Sequence, residues 1–186
     1  MVERGVTEIL IPESDIQRRV SELGMQISAE YAGKDLVIVG VLTGAVTFLA
    51  DLIRQIRLPL ELDFVALSSY GQATKSSGEV RLIKDLGHPV QDKHVIVAED
   101  IVDTGLTLRY LLETLNARQP ASLSSCVLLD KPSRRQVEVD VQYRGFEIDD
   151  KFVVGYGLDY AGLYRNLPYI GVLDLTLTPH KEKHLE

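Results

Sequence analysis

Residues 95–107 decide what this chain can build. Val95, Ile96 and Val97 are consecutive β-branched residues, and after Ala98 the run ends in two adjacent acids, Glu99 and Asp100. A continuous β-branched run suits a strand buried on both faces. Asp103, Thr104, Gly105, Leu106 and Thr107 follow, and then Leu108, Leu111, Leu112 and Leu115 return at helical spacing. The segment therefore reads as a buried parallel strand, a small-residue turn and a helix. In open α/β sheets, ligands sit at such strand ends.

The turn has its own chemistry. A helix start offers unpaired N–H groups and a partial positive charge, both suited to a phosphate. Gly105 allows the backbone to approach closely, and Thr104 and Thr107 add hydroxyls. Glu99 and Asp100 would repel a phosphate; they suit the hydroxyls of a sugar or a bound cation. Any one of these acids also fits an ordinary loop or helix cap. The ordered set fits a phosphorylated ribose better.

The rest of the chain is consistent with one α/β domain over residues 1–186, a parallel twisted sheet flanked by helices. Strands are expected at residues 36–42, 60–68, 80–83, 122–129, 152–155 and 169–173. Helices are expected after Pro12, with Ser14 and Gln17 at capping-box spacing and Gly33 as a stop, and over residues 45–56. Twenty basic against 27 acidic residues give a net charge of −7 with no basic stripe, which argues against nucleic acid as a partner. Cys126 is the only cysteine, so no intrachain disulfide forms; it reads as a core residue in a reducing, cytoplasmic setting. No apolar run is long enough to span a membrane, no signal peptide is read, and the four histidines lack metal-ligand spacing.

The nine residues from Glu99 to Thr107 closely resemble the ribose-phosphate-binding motif of the type I phosphoribosyltransferase family, in the form its hypoxanthine and hypoxanthine-guanine branch carries. The resemblance spans residues 9–174. It includes a loop at Gly40, Val41, Leu42, Thr43, Gly44 and Ala45, a second at Ser68, Ser69, Tyr70 and Gly71 running on to Glu79, and a split motif. The split motif joins Asp130, Lys131 and Pro132 to residues 151–160, with Arg165 beyond. It implies a parallel sheet with a small hood region built from the N- and C-terminal segments, and a homodimer or homotetramer.

The resemblance also implies roles. Glu99, Asp100, Asp103, Thr104, Gly105, Leu106 and Thr107 would hold the ribose and its 5′-phosphate, with Asp103 as general base. Thr43, Gly44 and Arg165 would hold pyrophosphate, in a loop that often carries a non-proline cis peptide. Many relatives have Lys where Thr43 stands, so backbone groups would carry that contact. Lys131, Phe152, Val153 and Asp159 would bind a purine, Ser69 and Tyr70 would close a lid hinged at Gly71 and Gly78, and Mg²⁺ would sit on Asp159, Glu99 and Asp100. The implied reaction moves a 5-phosphoribosyl group from phosphoribosyl pyrophosphate to N9 of a 6-oxopurine, hypoxanthine and also guanine. A xanthine-preferring enzyme is the nearer alternative. A nucleotide-sensing regulator on the same fold is disfavoured by the presence of Asp103 and Lys131.

Overall fold

The computed structural model describes residues 5–69 and 80–177. Its elements run β1 (Val6–Ile11), α1 (Glu13–Glu30), β2 (Leu36–Leu42), α2 (Val46–Gln55), β3 (Leu60–Ser69), β4 (Val80–Lys84), β5 (His94–Val102) and α3 (Leu106–Asn116). They continue with β6 (Ser122–Asp130), a 3-10 turn (Pro132–Arg134), β7 (Tyr143–Glu147), β8 (Val153–Val154) and β9 (Ile170–Leu173).

Six strands form one sheet in the order β4-β3-β2-β5-β6-β7. Five are parallel, as expected, and β4 pairs antiparallel with β3 at the edge. Only residues 70–79 join β3 to β4, fewer than a parallel crossover needs. Alternation along the buried strands divides the core in two. Val37, Val39, Val95, Val97 and Val127 pack with Leu108, Leu111 and Leu115 of α3. Ile38, Ile96, Ala98, Cys126 and Leu128 pack on the other face with residues of α1 and α2. Cys126 is the expected core residue; burial pushes its thiol pKa up, so it stays protonated.

The topology fixes where a ligand can sit. From the adjacent strands β2 and β5 the sheet grows in opposite directions, to β3 on one side and β6 on the other. The loops after β2 and β5 therefore leave the sheet side by side at its switch point. Beside the main sheet, β1 pairs antiparallel with β9, and β9 with β8, so the two ends of the chain build one small sheet.

Three local features differ from the sequence reading. The capping box does not form: Pro12 is the N-cap and makes no side-chain cap bond, while Ser14 lies inside the first turn. Proline at that position has already fixed the entry conformation. β1 and β7 are additional strands. Edge strand β7 is blunted by Arg19, whose guanidinium donates to the carbonyls of Arg144 (2.6 Å) and Gly145 (3.1 Å). Among the described residues, no helix is long and apolar enough to cross a membrane.

Phe48 lies fully buried on α2, within the cluster shared with α1 and the sheet. Phe48→Ala is expected to cost about 3–5 kcal/mol, seen as a lower urea midpoint at unchanged slope. A loss under about 1 kcal/mol would show that this core is loosely packed.

Candidate active site

Strand β5 carries its apolar run to Ala98 and then delivers Glu99 and Asp100 to the sheet edge. Gly105, at φ 84°, turns the chain into α3 as its N-cap. A side chain at Gly105 would meet the Val137 carbonyl and the Arg135 side chain, so the left-handed turn and the close approach both require glycine. The Thr104 carbonyl accepts the N–H groups of Gln136 (2.9 Å) and Val137 (3.3 Å), which fasten the turn to the segment after β6. Glu99, Asp103, Thr104, Gly105 and Thr107 line a cavity of about 100 Å³ at this helix start, a space for a phosphate-sized group. Five of the seven sequence-predicted ribose-phosphate residues thus line one cavity, with Asp100 and Leu106 outside its lining. A larger hollow of about 380 Å³, lined by Ile11, Pro132, Phe146 and Lys151 among others, contains none of residues 99–107.

Glu99 lacks compensation, and Asp100 has only part of it. Burial, with Asp100 beside it, holds the Glu99 carboxyl well above the usual range, and Glu99 Oε2 is buried without a hydrogen-bond partner. Burial also pushes Asp100 up to about 6, although the Ile101 N–H donates to its Oδ1 at 2.9 Å and Arg165 attracts its charge. These groups are built to receive a positive charge or hydroxyl donors.

Asp100 also touches the loop after β2. A Cβ at Gly44 would overlap the Asp100 carboxylate, and a Cβ at Gly157 (φ 103°) would overlap the Gly44 carbonyl. Two missing side chains thus let an acid, a loop and the residues before β9 stack in contact. The Leu42–Thr43 peptide is cis, as the family resemblance implied. Arg165 donates to the Gly157 carbonyl (2.5 Å) and pairs with Asp159 (2.6 Å), whose other oxygen accepts the Gly162 N–H (2.8 Å). Asp159 is thus held between Arg165 and the turn at Gly162. Both its oxygens have partners, and no three His, Cys, Asp or Glu side chains among the described residues stand together as metal ligands.

On the other flank, Lys131 is only 7% exposed, and its Nζ donates to the Lys151 carbonyl (2.6 Å) with Asp150 at 3.8 Å. An ammonium has three donors, so two remain for a ligand oxygen. Phe152 is 44% exposed for a buried-type residue, held by an edge-on contact with Tyr160 at 5.8 Å. Val153 is buried and pairs with Val172 in the small sheet. Ser69 ends β3; Tyr70, Gly71 and Gly78, expected in the lid, lie outside the described residues.

A sequence model of the phosphoribosyl transferase domain matches residues 9–161. The chain belongs to the phosphoribosyl transferase family. The hypoxanthine phosphoribosyltransferase of Haemophilus influenzae is 53% identical to this transferase, over 88% of this chain and 93% of that one. The hypoxanthine-guanine phosphoribosyltransferase of Bacillus subtilis is 50% identical over 93% and 96%. A crystal structure of a hypoxanthine phosphoribosyltransferase from Staphylococcus aureus superposes with a TM-score of 0.89 at 48% identity, covering 94% of this chain and 95% of that one.

The structure adds residues to the transferase site that sequence spacing missed. Arg134 Nε donates to Asp103 Oδ1 at 3.1 Å, and Arg135 Nη1 donates to the Asp103 carbonyl at 2.8 Å. Arg135 is itself ion-paired to the fully buried Asp130, which Arg144 also faces at 2.8 Å. Arg134 and Arg135 follow Lys131 in sequence, and that adjacency to a predicted ligand was the one available signal.

The raised Asp100 has a consequence for stability. A free Asp titrates near ~3.9, so folded Asp100 binds its proton more tightly than unfolded Asp100. Its contribution therefore falls as pH rises from about 4 to about 6, and the full penalty persists above. Asp100→Asn removes the penalty. Its melting temperature is expected to exceed wild type by roughly 2–6 °C at pH 8, with the gap closing toward pH 4. A variant that melts below wild type at pH 8 would mean that the acid is already compensated.

Proposed function

We infer that this chain transfers the 5-phosphoribosyl group of phosphoribosyl pyrophosphate to N9 of a 6-oxopurine, hypoxanthine foremost and guanine next, in purine salvage. One observation carries the reading: a phosphate-sized cavity at the start of α3 is also lined by Glu99, whose carboxyl is buried with one oxygen unpartnered. A sugar phosphate meets both at once.

The residues then take roles by position. The amides and hydroxyls of residues 104–107 receive the 5′-phosphate. Glu99 and Asp100 receive the ribose hydroxyls. The Thr43–Gly44 loop and Arg165 receive the pyrophosphate, through backbone groups where Thr43 offers no charge. Lys131 Nζ donates to the 6-oxo oxygen, Phe152 stacks on the ring, and Val153 and Asp159 border the base edge. As the C1′–O bond breaks, pyrophosphate departs with the electron pair and C1′ gains positive character. N9 forms the new bond to C1′, and the proton on N7 passes to Asp103. Removing that proton makes N9 the stronger nucleophile. Water must be kept from the activated sugar, which it would otherwise hydrolyse, and the family resemblance assigns that task to Ser69 and Tyr70.

A divalent cation fits this donor set. Glu99 and Asp100 offer hard oxygens, one of them buried without a partner, and the remaining ligands would come from the sugar and the pyrophosphate. Mg²⁺ held there supplies charge neutralisation of the leaving group. Asp159, with two acceptor sites left beside its bonds to Arg165 and Gly162, would hold the ion together with Glu99 and Asp100. The protein works in the cytoplasm, supported by its single buried thiol, and self-associates as a homodimer or homotetramer, supported by Ile83, 70% exposed on the edge strand β4.

The assay is direct. With phosphoribosyl pyrophosphate and Mg²⁺, hypoxanthine and guanine should each become nucleotides and adenine should not, since Lys131 donates where adenine also carries a donor. Asp103→Asn should lower turnover by roughly 10²–10⁴ while calorimetry shows phosphoribosyl pyrophosphate still binding. Lys131→Ala should weaken binding of the purine more than that of the cosubstrate. Turnover of xanthine alone would favour the xanthine-preferring reading, and equal losses for both ligands would remove Lys131 from base recognition.

A further inference from the structure

The proposed general base is held in an unusual way. Asp103 is the one member of its turn with both its main chain and its side chain clamped by neighbouring arginines: Arg135 takes the carbonyl at 2.8 Å and Arg134 takes Oδ1 at 3.1 Å. Asp103 Oδ2 makes no hydrogen bond among the described residues. The two arginines differ in their surroundings. Arg135 is mostly buried and locked to Asp130, so it belongs to the frame. Arg134 is half exposed and comes from the 3-10 turn that opens directly after Lys131. It also approaches Asp150 at 3.5 Å, next to the Lys151 carbonyl that fixes Lys131 Nζ.

We propose that Arg134 is a positioning residue of the transfer reaction: its guanidinium fixes the plane of the Asp103 carboxylate, leaving one oxygen aimed at the N7 proton of the purine. The proposal rests on Asp103 being the base. Without Arg134, the carboxylate would rotate freely about its side-chain bonds, because Oδ2 has nothing to hold it. An exposed ion pair contributes little to stability, so this pair is explained poorly as a structural fastening. It is explained well as orientation, where small misplacements of a reacting group are costly in rate. The link to Asp150 adds a second effect. Base recognition through Lys131 and base orientation through Arg134 arise from one short turn, so a purine seated on Lys131 meets an Asp103 already in line.

The test is a double-mutant cycle on the whole protein. Arg134→Ala should lower kcat roughly 10-fold with KM for both substrates within about twofold, at a melting temperature close to wild type. Arg134→Lys, which keeps a donor and a charge, should recover part of the loss. In an Asp103→Asn background, Arg134→Ala should lower kcat by less than about twofold further, because it acts only through Asp103. An equal loss in both backgrounds would overturn the proposal, as would a rise in KM for phosphoribosyl pyrophosphate at unchanged kcat, which would make Arg134 a ligand contact instead. Asp103→Asn at the wild-type rate would instead remove the base itself, and the failure would then lie in the underlying reading.

Discussion

Two buried carboxylates toward the end of a core strand, one with an unpartnered oxygen, are the constraint to which the rest of the site answers. Glu99 and Asp100 are carried to the sheet edge by a β-branched run that packs against helices on both faces. Burial makes both acids hold their protons abnormally tightly. A fold keeps such an arrangement at a cost to stability, and binding partners relieve it: sugar hydroxyls, a divalent ion, or both. The helix start of α3, a few residues further on, presents the opposite polarity. A ligand that is anionic at one end and hydroxylated at the other matches both.

Contact between loops turns that local polarity into a reaction site. Glycine at positions 44 and 157 removes the side chains that would separate Asp100, the loop after β2 and the segment holding Arg165. Asp100, the loop after β2 and the residues before β9 therefore share one wall. The segment after β6 brings the nearly buried Lys131 and the two arginines that hold Asp103. The switch point between β2 and β5 sets the loops after these two strands side by side.

Much of this was legible in the sequence, for physical reasons that can be named. Strand β2 was read at its observed limits because a fully buried strand is a continuous apolar run. The turn before α3 was read because glycine and hydroxyl residues between a strand and an amphipathic helix have few other uses. β1 and β7 were not read: their burial does not alternate cleanly, and β7 carries two charges and a glycine within five residues. The Asp130, Arg135 and Arg144 cluster and the Arg134–Asp103 pair were invisible, since Asp103 and Arg134 are 31 residues apart and meet only through the packing of β5 beside β6. The pairing of Asp159 with Arg165 was likewise invisible in the sequence. Spacing reports local geometry, and partnerships across strands need the fold.

A crystal structure with a purine mononucleotide and Mg²⁺ tests the central claim most directly. The account predicts the 5′-phosphate on the amides of residues 104–107, with the ribose hydroxyls within hydrogen-bond reach of Glu99 and Asp100 or of an ion they hold. A phosphate bound elsewhere, such as in the larger hollow beside Ile11 and Phe146, would contradict it.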